Sequence, residues 1–354
     1  MNYAPIIIPT LNRYEHLYNC LESLKKNKLA DMTEVYISVD YPPADKYIEG
    51  HNRVVEYLEK GITGFREVHV IYQDKNLGAS ENSDFLYTLI RGKADRFIYT
   101  EDDNVFSPCF LEYINKGLER FKKDDCFALI SGFNSPWHRT YSPYNYGKEY
   151  CFMPWGYAMY TKTYDRLLEN ISREQFLDLL RNEDISRHLY TERPELFRTL
   201  FETCMANKDN ARSVYRKHLY KNGNVAPTDL NLSVIMHLNN MYCICPELSM
   251  VRNCGNEDGS GQNVAVYDGG FKYSEQEIET GDSFEFLPSI MNEDVHDYDA
   301  VSIPSSAKRA WILRRVYLLF GVKVVRIIME LSFSISRYWG KITSKTDYVE
   351  YNRV

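Results

Sequence analysis

The hydrophobic positions of the first 135 residues fall into two alternating rhythms. Short apolar runs have the length and β-branched content of buried strands: APIIIPT (4–10), EVYISVD (34–40), EVHVIYQ (67–73), DRFIYTEDD (95–103) and CFALISGFN (126–134). Between them lie segments with apolar residues three and four apart: YEHLYNCLESLKKN, HNRVVEYLEKG, ASENSDFLYTLIRG and SPCFLEYINKGLERFKK. That spacing predicts helices. Gly61 is a stop signal, and Ser107 followed by Pro108 reads as a cap and first turn. Regular alternation of this kind predicts an α/β fold built on an open, mostly parallel sheet with helices on both faces.

In such sheets ligands bind beyond the carboxyl ends of the strands. Asp40 ends the second run and Glu101, Asp102 and Asp103 end the fourth, so all four acids are expected at that edge. With 49 Asp and Glu in 354 residues, about one run of three acids is expected from composition alone. Position, not abundance, therefore singles out this triple.

The rhythm changes further on. CFMPWGYAMYTKTYDRL (151–167) is aromatic, and about 168–222 is polar and helical, like an insertion or lid. Residues 226–263 return to helix, strand and a Gly/Asn-rich loop, and 256–305 are acidic with little periodicity. Segment 308–337 carries seven basic residues and one acid. Its longest apolar run, VYLLFGV, is too short to span a bilayer. On a helical wheel Lys308, Arg315, Lys323, Arg326 and Arg337 gather on one side. Leu313, Tyr317, Leu318, Val324, Val325, Ile328, Leu331 and Ile335 spread over the other. The pattern is that of an amphipathic helix lying on an anionic membrane surface, or packed on the protein itself. Three regions follow: 1–135, a ligand-binding α/β half; 136–305, a second half containing the insertion; and 306–354, a basic tail.

Composition adds exclusions. A net charge of −7 argues against nucleic acid as a partner. There is no GxGxxG after the first strand and no GxxxxGK[ST], which disfavours a dinucleotide-binding fold and a P-loop. Eight cysteines without a CxxC pair read as reduced thiols, with Cys243 and Cys245 expected on opposite faces of a strand. The 29 tyrosines suit a sugar or nucleotide surface, or half-buried packing. The start MNYAPIIIPTLNR reads as a first strand and not a signal peptide, giving the expectation of a cytoplasmic protein.

The ordered set of motifs resembles the nucleotide-sugar-binding region of GT-A-fold, family 2-like glycosyltransferases. APIIIPTLNRYEHLYNCLESL is similar to their opening strand and helix, YISVD to the strand with a uracil-binding acid, and FIYTEDDNVFSPCFLEYI to their metal-binding acidic motif. FMPWGYAM, PTDLNL, CICPELS and CGNEDGSGQN, in that order, are similar to the N-acetylglucosaminyltransferase that starts complex N-glycans. The resemblance covers about residues 4–265. It implies a UDP-sugar donor, Mn²⁺ or Mg²⁺ held at Asp103, Glu101 and Asp102 facing donor hydroxyls, and Asp40 accepting from uracil. Pro9 and Thr10 would line the base pocket and Arg13 would meet the nucleotide. Gly78 and Asn82, in DKNLGASEN, would approach the donor, or simply start a helix. Trp155, Gly156 and Tyr157 would form a wall under the donor sugar, or pack the core.

Inverting transfer needs a base for the acceptor hydroxyl. Asp229 is the candidate by order, with helix capping as its other reading and Glu247 as second choice. The expected activity is hexosyl or N-acetylhexosaminyl transfer to a glycan or lipid-linked glycan, at the inner face of a bacterial membrane. A sugar-1-phosphate nucleotidyltransferase and a non-catalytic sugar-binding protein are the alternatives. The first normally has a Gly-rich basic loop that PTLNRYEHL lacks.

Overall fold

The computed structural model describes residues 3–135, 144–169, 171–205, 220–221, 224–225, 227–255, 272–288 and 304–343. Loop residues 256–263 and the side chains of Ile335 and Arg337 lie outside the described residues. The chain folds as two compact units. One is Met1–Ile171 with Ala226–Ala300, and the other is Ser172–Val225 with Val301–Val354.

In the first unit the elements follow the expected order: β1 (Ile6–Thr10), α1 (Tyr14–Lys25), β2 (Glu34–Val39), α2 (Ile48–Glu59), β3 (Glu67–Tyr72), α3 (Ala79–Arg91) and β4 (Arg96–Tyr99). Then come β5 (Asn104–Phe106), α4 (Phe110–Phe121), β6 (Phe127–Ser131), β7 (Tyr146–Glu149), β8 (Tyr157–Tyr160) and α5 (Thr161–Leu168). The apolar spacing of α4 buries Phe110, Leu111, Tyr113, Ile114, Leu118 and Phe121 on one face. That helix begins at Phe110, two residues later than Pro108 suggests. Cys109 stands at the cap position, and its N–H donates to the buried Ser107 hydroxyl at 3.3 Å.

The second unit starts with α6 (Arg173–Arg181), α7 (Glu183–Glu192), α8 (Pro194–Met205), and the short pair β9 (Tyr220–Lys221) and β10 (Asn224–Val225). The chain then re-enters the first unit with α9 (Asp229–Leu238), β11 (Tyr242–Pro246) and β12 (Val251–Asn253), and ends in the second with α10 (Ser305–Thr343).

The main sheet has the order β3-β2-β1-β4-β8-β6-β11-β7. β3, β2, β1 and β4 pair in parallel, as do β6 and β11. β8 runs antiparallel between β4 and β6, and β7 lies antiparallel on the edge. The fifth apolar run, β6, is thus not the neighbour of the fourth. The aromatic FMPWGYAM stretch supplies the strand between them.

Pro9 has a positional reason. Thr100 donates its N–H to the Ile7 carbonyl, and the next rung of the β1–β4 ladder would come from the N–H of residue 9. Proline has none, so pairing ends at Thr100 and the chain is released into Glu101–Asp103. Cys243 and Cys245 correct the expectation of opposite faces. Residues two apart in a strand share a face, and their sulfurs are 3.9 Å apart, both buried and unbridged.

In the second unit the polar insertion and the basic tail fold together. α6 opens with a reciprocal cap: Ser172 Oγ accepts from the Gln175 N–H at 3.3 Å, and Gln175 Oε1 accepts from the Ser172 N–H at 2.9 Å. α7 is capped by Asn182, which accepts from the Ile185 N–H at 3.0 Å. α10 breaks at Gly321, whose φ of +77° and ψ of 176° are non-helical. Of the apolar residues on the wheel, Leu313, Tyr317 and Val325 are buried within this unit, and Trp311 stacks on Tyr190 at 4.6 Å. Arg326 is partly buried and donates to the Met205 carbonyl at 3.0 Å. Among the described residues no helix is long and apolar enough to cross a membrane.

Arg314 is fully buried. Its Nε donates to Leu180 O at 2.7 Å and its Nη2 to Arg181 O at 3.1 Å, closing the carboxyl end of α6, while Nη1 meets Glu183 at 2.7 Å. Arg314→Ala should destabilise the second unit by about 3 kcal/mol, because it strips a buried carbonyl pair and a carboxylate of their donor. The exposed neighbour Arg315→Ala should change stability by less than about 0.5 kcal/mol. Urea unfolding followed by circular dichroism measures both, and equal losses would remove Arg314 from this role.

Candidate functional site

The site forms where β1 and β4 end side by side. Arg13 follows β1, and its guanidinium forks onto the acidic triple: Nη1 donates to Asp103 Oδ2 at 2.8 Å and Nη2 to Asp102 Oδ1. Thr10 Oγ1 donates to Asp102 Oδ2 at 2.6 Å. Asp102 and Asp103 are 2% and 6% exposed, so these are buried carboxylates and not a solvated turn.

Asp103 is also held from the other end of the chain. β5 pairs antiparallel with β12, placing Asn253 opposite Asn104. Asn253 Nδ2 donates to Asp103 Oδ1 at 2.8 Å, and the Cys254 N–H donates to the Asp103 carbonyl at 2.8 Å. Next to them, a Cβ on Gly255 would fall 1.9 Å from Asp103 Oδ2 and 3.0 Å from Arg13 Nη1. Only glycine lets this loop close over the carboxylate. Asn253 and Gly255 carried no role in the sequence reading. The family-like loop CGNEDGSGQN marked their neighbourhood, but the β5–β12 pairing across about 150 residues had no local signal.

The electrostatics follow from burial. Desolvation pushes the Glu101 carboxyl well above the usual range, Asp103 adds to the shift, Arg13 opposes it, and Asp102 and Asp229 raise it further. Asp103 is raised for the same first reason, against the pull of Arg13. Burial works against the Arg13 cation, but Asp102, Asp103 and Glu101 more than offset it, so Arg13 stays charged. Three acids against one guanidinium leave surplus negative charge.

Asp229 belongs to the same neighbourhood, since its charge raises both Glu101 and Tyr157. It is the first residue of α9, but the cap is Thr228, whose side chain accepts from the Asn231 N–H at 3.2 Å. Desolvation pushes the Asp229 carboxyl up to about 6, against the N–H groups of Leu230 and Asp229 itself. Beside it lies a buried tyrosine cluster. Tyr87 stacks on Tyr99 and Tyr164 at 5.6 and 4.5 Å, and its hydroxyl bonds that of Tyr157.

Other expected contacts have different jobs in this structure. Asp40 accepts from the N–H groups of Tyr41 and Leu77 at Oδ1, and from the Gly78 N–H and Asn76 Nδ2 at Oδ2, all within 2.8–3.1 Å. Its four acceptor positions are filled, so it organises the turn before α3 and offers no free oxygen to a uracil. Gly78 caps α3 at φ +80°. Asn82 is 1% exposed and its amide is spent on Ser38, with Nδ2 donating to the Ser38 carbonyl at 3.0 Å. The Trp155 ring packs edge-on against Phe133 and Tyr273, at 4.8 and 5.0 Å, and is buried. Gly156, at φ +71°, makes room for Phe106 and Phe110: a Cβ there would lie 2.7 Å from the Phe106 ring. Pro9 is half-buried beside Thr10. Glu247 follows β11, three strands from β4, or about 14 Å across the sheet at normal strand spacing.

An α/β sheet of mixed, mostly parallel strands with buried acids at the carboxyl end of a central strand is the arrangement of a GT-A-type fold. Residues 6–176, just under half of the chain, match the model of glycosyl transferase family 2. No curated protein matches the chain in sequence. Among solved structures it is similar to S. aureus TarS, with 12% identity over 62% of this chain and 46% of that one and a TM-score of 0.35. The chain thus spans less than half of that protein. Residues 1–349 of TarS align at 13% identity over 62% and 75% of the two chains, with a TM-score of 0.33. The mannosyltransferase PcManGT from Pyrobaculum calidifontis, in complex with GDP-Man and Mn²⁺, aligns at 14% over 67% and 71%, with a TM-score of 0.35. At that similarity none of them assigns a substrate here.

The raised Asp229 carboxyl has a stability consequence. Its folded value of about 6 lies above the unfolded value, so the folded state binds the proton more tightly. The associated stability is complete below pH about 4 and is lost as pH rises through about 6. Asp229→Asn should therefore raise stability at pH 7.5 by about 1–2 kcal/mol, discounted for partial exposure, and change little at pH 4.5. Thermal unfolding at the two pH values tests it; a gain independent of pH would refute the buried-charge assignment.

Proposed function

We propose that the chain is an inverting, metal-dependent glycosyltransferase that moves a sugar from a UDP-sugar to a glycan or lipid-linked glycan. The observation that carries this is the gathering of Arg13, Glu101, Asp102, Asp103 and Asp229 at the carboxyl ends of β1 and β4 and the start of α9.

The reaction joins the acceptor oxygen to the anomeric carbon and breaks the bond from that carbon to the diphosphate oxygen. Asp229 takes the acceptor's proton. A base works best with a pKa near the operating pH, and a carboxyl at about 6 is far better placed than an ordinary aspartate. Thr228 supports this role by supplying the helix cap, so Asp229 is not needed for that duty. The electron pair leaves with the diphosphate, and Arg13 is placed to meet that charge. Asp40 contributes by holding the 76–78 turn at the rim of the nucleotide pocket, and Pro9 and Thr10 line the floor.

Among the described residues no three His, Cys, Asp or Glu side chains converge to hold a metal ion by themselves. The surplus negative charge of the triple nonetheless fits a hard divalent cation, with Asp103, supported by Asp102, as its protein ligand. Mn²⁺ or Mg²⁺ would supply charge neutralisation for the departing diphosphate. Calorimetric titration of UDP should show binding strengthened at least about ten-fold by Mn²⁺, lost in Asp103→Asn and kept in Asp229→Asn. Turnover in Asp229→Asn should fall by about 10²–10⁴-fold. Metal-independent UDP binding with near-normal turnover of both variants would overturn the proposal.

A further inference from the structure

We infer that α10 carries a docking face for an anionic lipid bilayer, formed by the apolar residues that packing leaves exposed. The wheel treats the helix as having one apolar side. In the folded unit that side is divided: Leu313, Tyr317 and Val325 are buried, together with Ala307, Ala310 and Met329, while Leu318, Val324 and Leu331 stay exposed. These join other exposed apolar residues of the same helix. Of the thirteen large apolar side chains exposed among the described residues, seven lie on α10: Ile312, Leu318, Leu319, Phe320, Val324, Ile327 and Leu331. Leu319 and Phe320 are 75% and 65% exposed and sit immediately before the break at Gly321. Scattered exposed leucines need no explanation, but a run of this density does.

The charges around it indicate the occupant. Lys308, Arg309, Arg315 and Lys323 are exposed, and no acid occurs between Pro304 and Met329. Arg315 shares Glu183 with Arg314, at 3.0 Å. Lys308, Arg309 and Lys323 have no ion-pair partner among the described residues. Lys308, Ile312, Arg315 and Leu319 follow one another at helical spacing, so cations and apolar groups share one stripe. Beyond the break Lys323, Ile327 and Leu331 continue at intervals of four.

A second copy is disfavoured as occupant. A two-fold pairing of this face would set the same cations against one another. An anionic bilayer offers acyl chains to Leu319 and Phe320 and headgroup charge to the lysines and arginines at the same depth.

The test needs no sugar nucleotide, so it stands apart from the proposed transfer activity. The full chain is sedimented with vesicles of phosphatidylcholine, with or without phosphatidylglycerol. Binding is expected only to the anionic vesicles, weakening with salt. The triple variant Lys308→Ser/Arg309→Ser/Lys323→Ser should bind roughly a hundred-fold more weakly, at about five-fold per cation. Leu319→Asp/Phe320→Asp should abolish binding while leaving the circular dichroism melt unchanged. Unaltered vesicle binding by both variants would overturn the inference. So would a wild type that ignores vesicles and forms a dimer that Leu319→Asp/Phe320→Asp dissolves.

Discussion

The fork of Arg13 onto Asp102 and Asp103 is the interaction on which the rest of the candidate site depends. Two buried carboxylates with a third beside them would be untenable alone, because removing such a charge from water without a partner costs several kcal/mol. One guanidinium compensates only part of that charge, and the remainder appears as the raised Glu101 and Asp103 carboxyls. The arrangement is therefore stable yet electrostatically unfinished, which is what the proposed cation and diphosphate would require. Its position follows from the backbone. Parallel pairing of β1 with β4 brings Arg13 within reach of residues about 90 positions away, and Pro9 ends that pairing at the point where the acids must leave the sheet.

The residues around this centre divide into those that present chemistry and those that hold the presenters. Asp40 illustrates the division. A carboxylate at a strand end looks ligand-facing in one dimension, but the following turn exposes backbone N–H groups, and in the fold these capture both of its oxygens. Asn82 is absorbed in the same way by Ser38. Trp155 and Gly156 act through packing: the ring is enclosed by Phe133 and Tyr273, and the missing side chain leaves space for Phe106 and Phe110.

Local periodicity made the alternating strands and helices of residues 4–134 legible, and with them the edge at which the acids lie. Periodicity carries no information about partners. The insertion of β8 between β4 and β6, and the β5–β12 pair that brings Asn253 and Gly255 onto Asp103, are long-range pairings. The joining of the polar insertion with the basic tail is equally invisible along the chain. α10 has a related reason: a wheel ranks faces by composition, but the neighbours in the fold decide which of its apolar residues are covered. Arg314, charged and fully buried at a helix end, shows the same limit, since its use rests on two carbonyls more than 130 residues earlier.

Asp229 shows how two opposing effects are ranked at a single group. The first turn of a helix favours a carboxylate, by about 0.3–1 kcal/mol at an exposed site. Its own N–H and that of Leu230 add to this preference. Burial acts the other way and can move a carboxyl by several units. The outcome, a carboxyl at about 6, means that desolvation dominates even at a helix start. Had Asp229 also been the cap, its acceptor oxygens would have been committed to the N2 and N3 amides and its pKa driven down. Thr228 takes that duty one residue earlier. The pairing of a neutral cap with an adjacent desolvated acid therefore separates the structural requirement of α9 from the requirement of the proposed base, and that separation is the strongest local support for proposing Asp229 in that role.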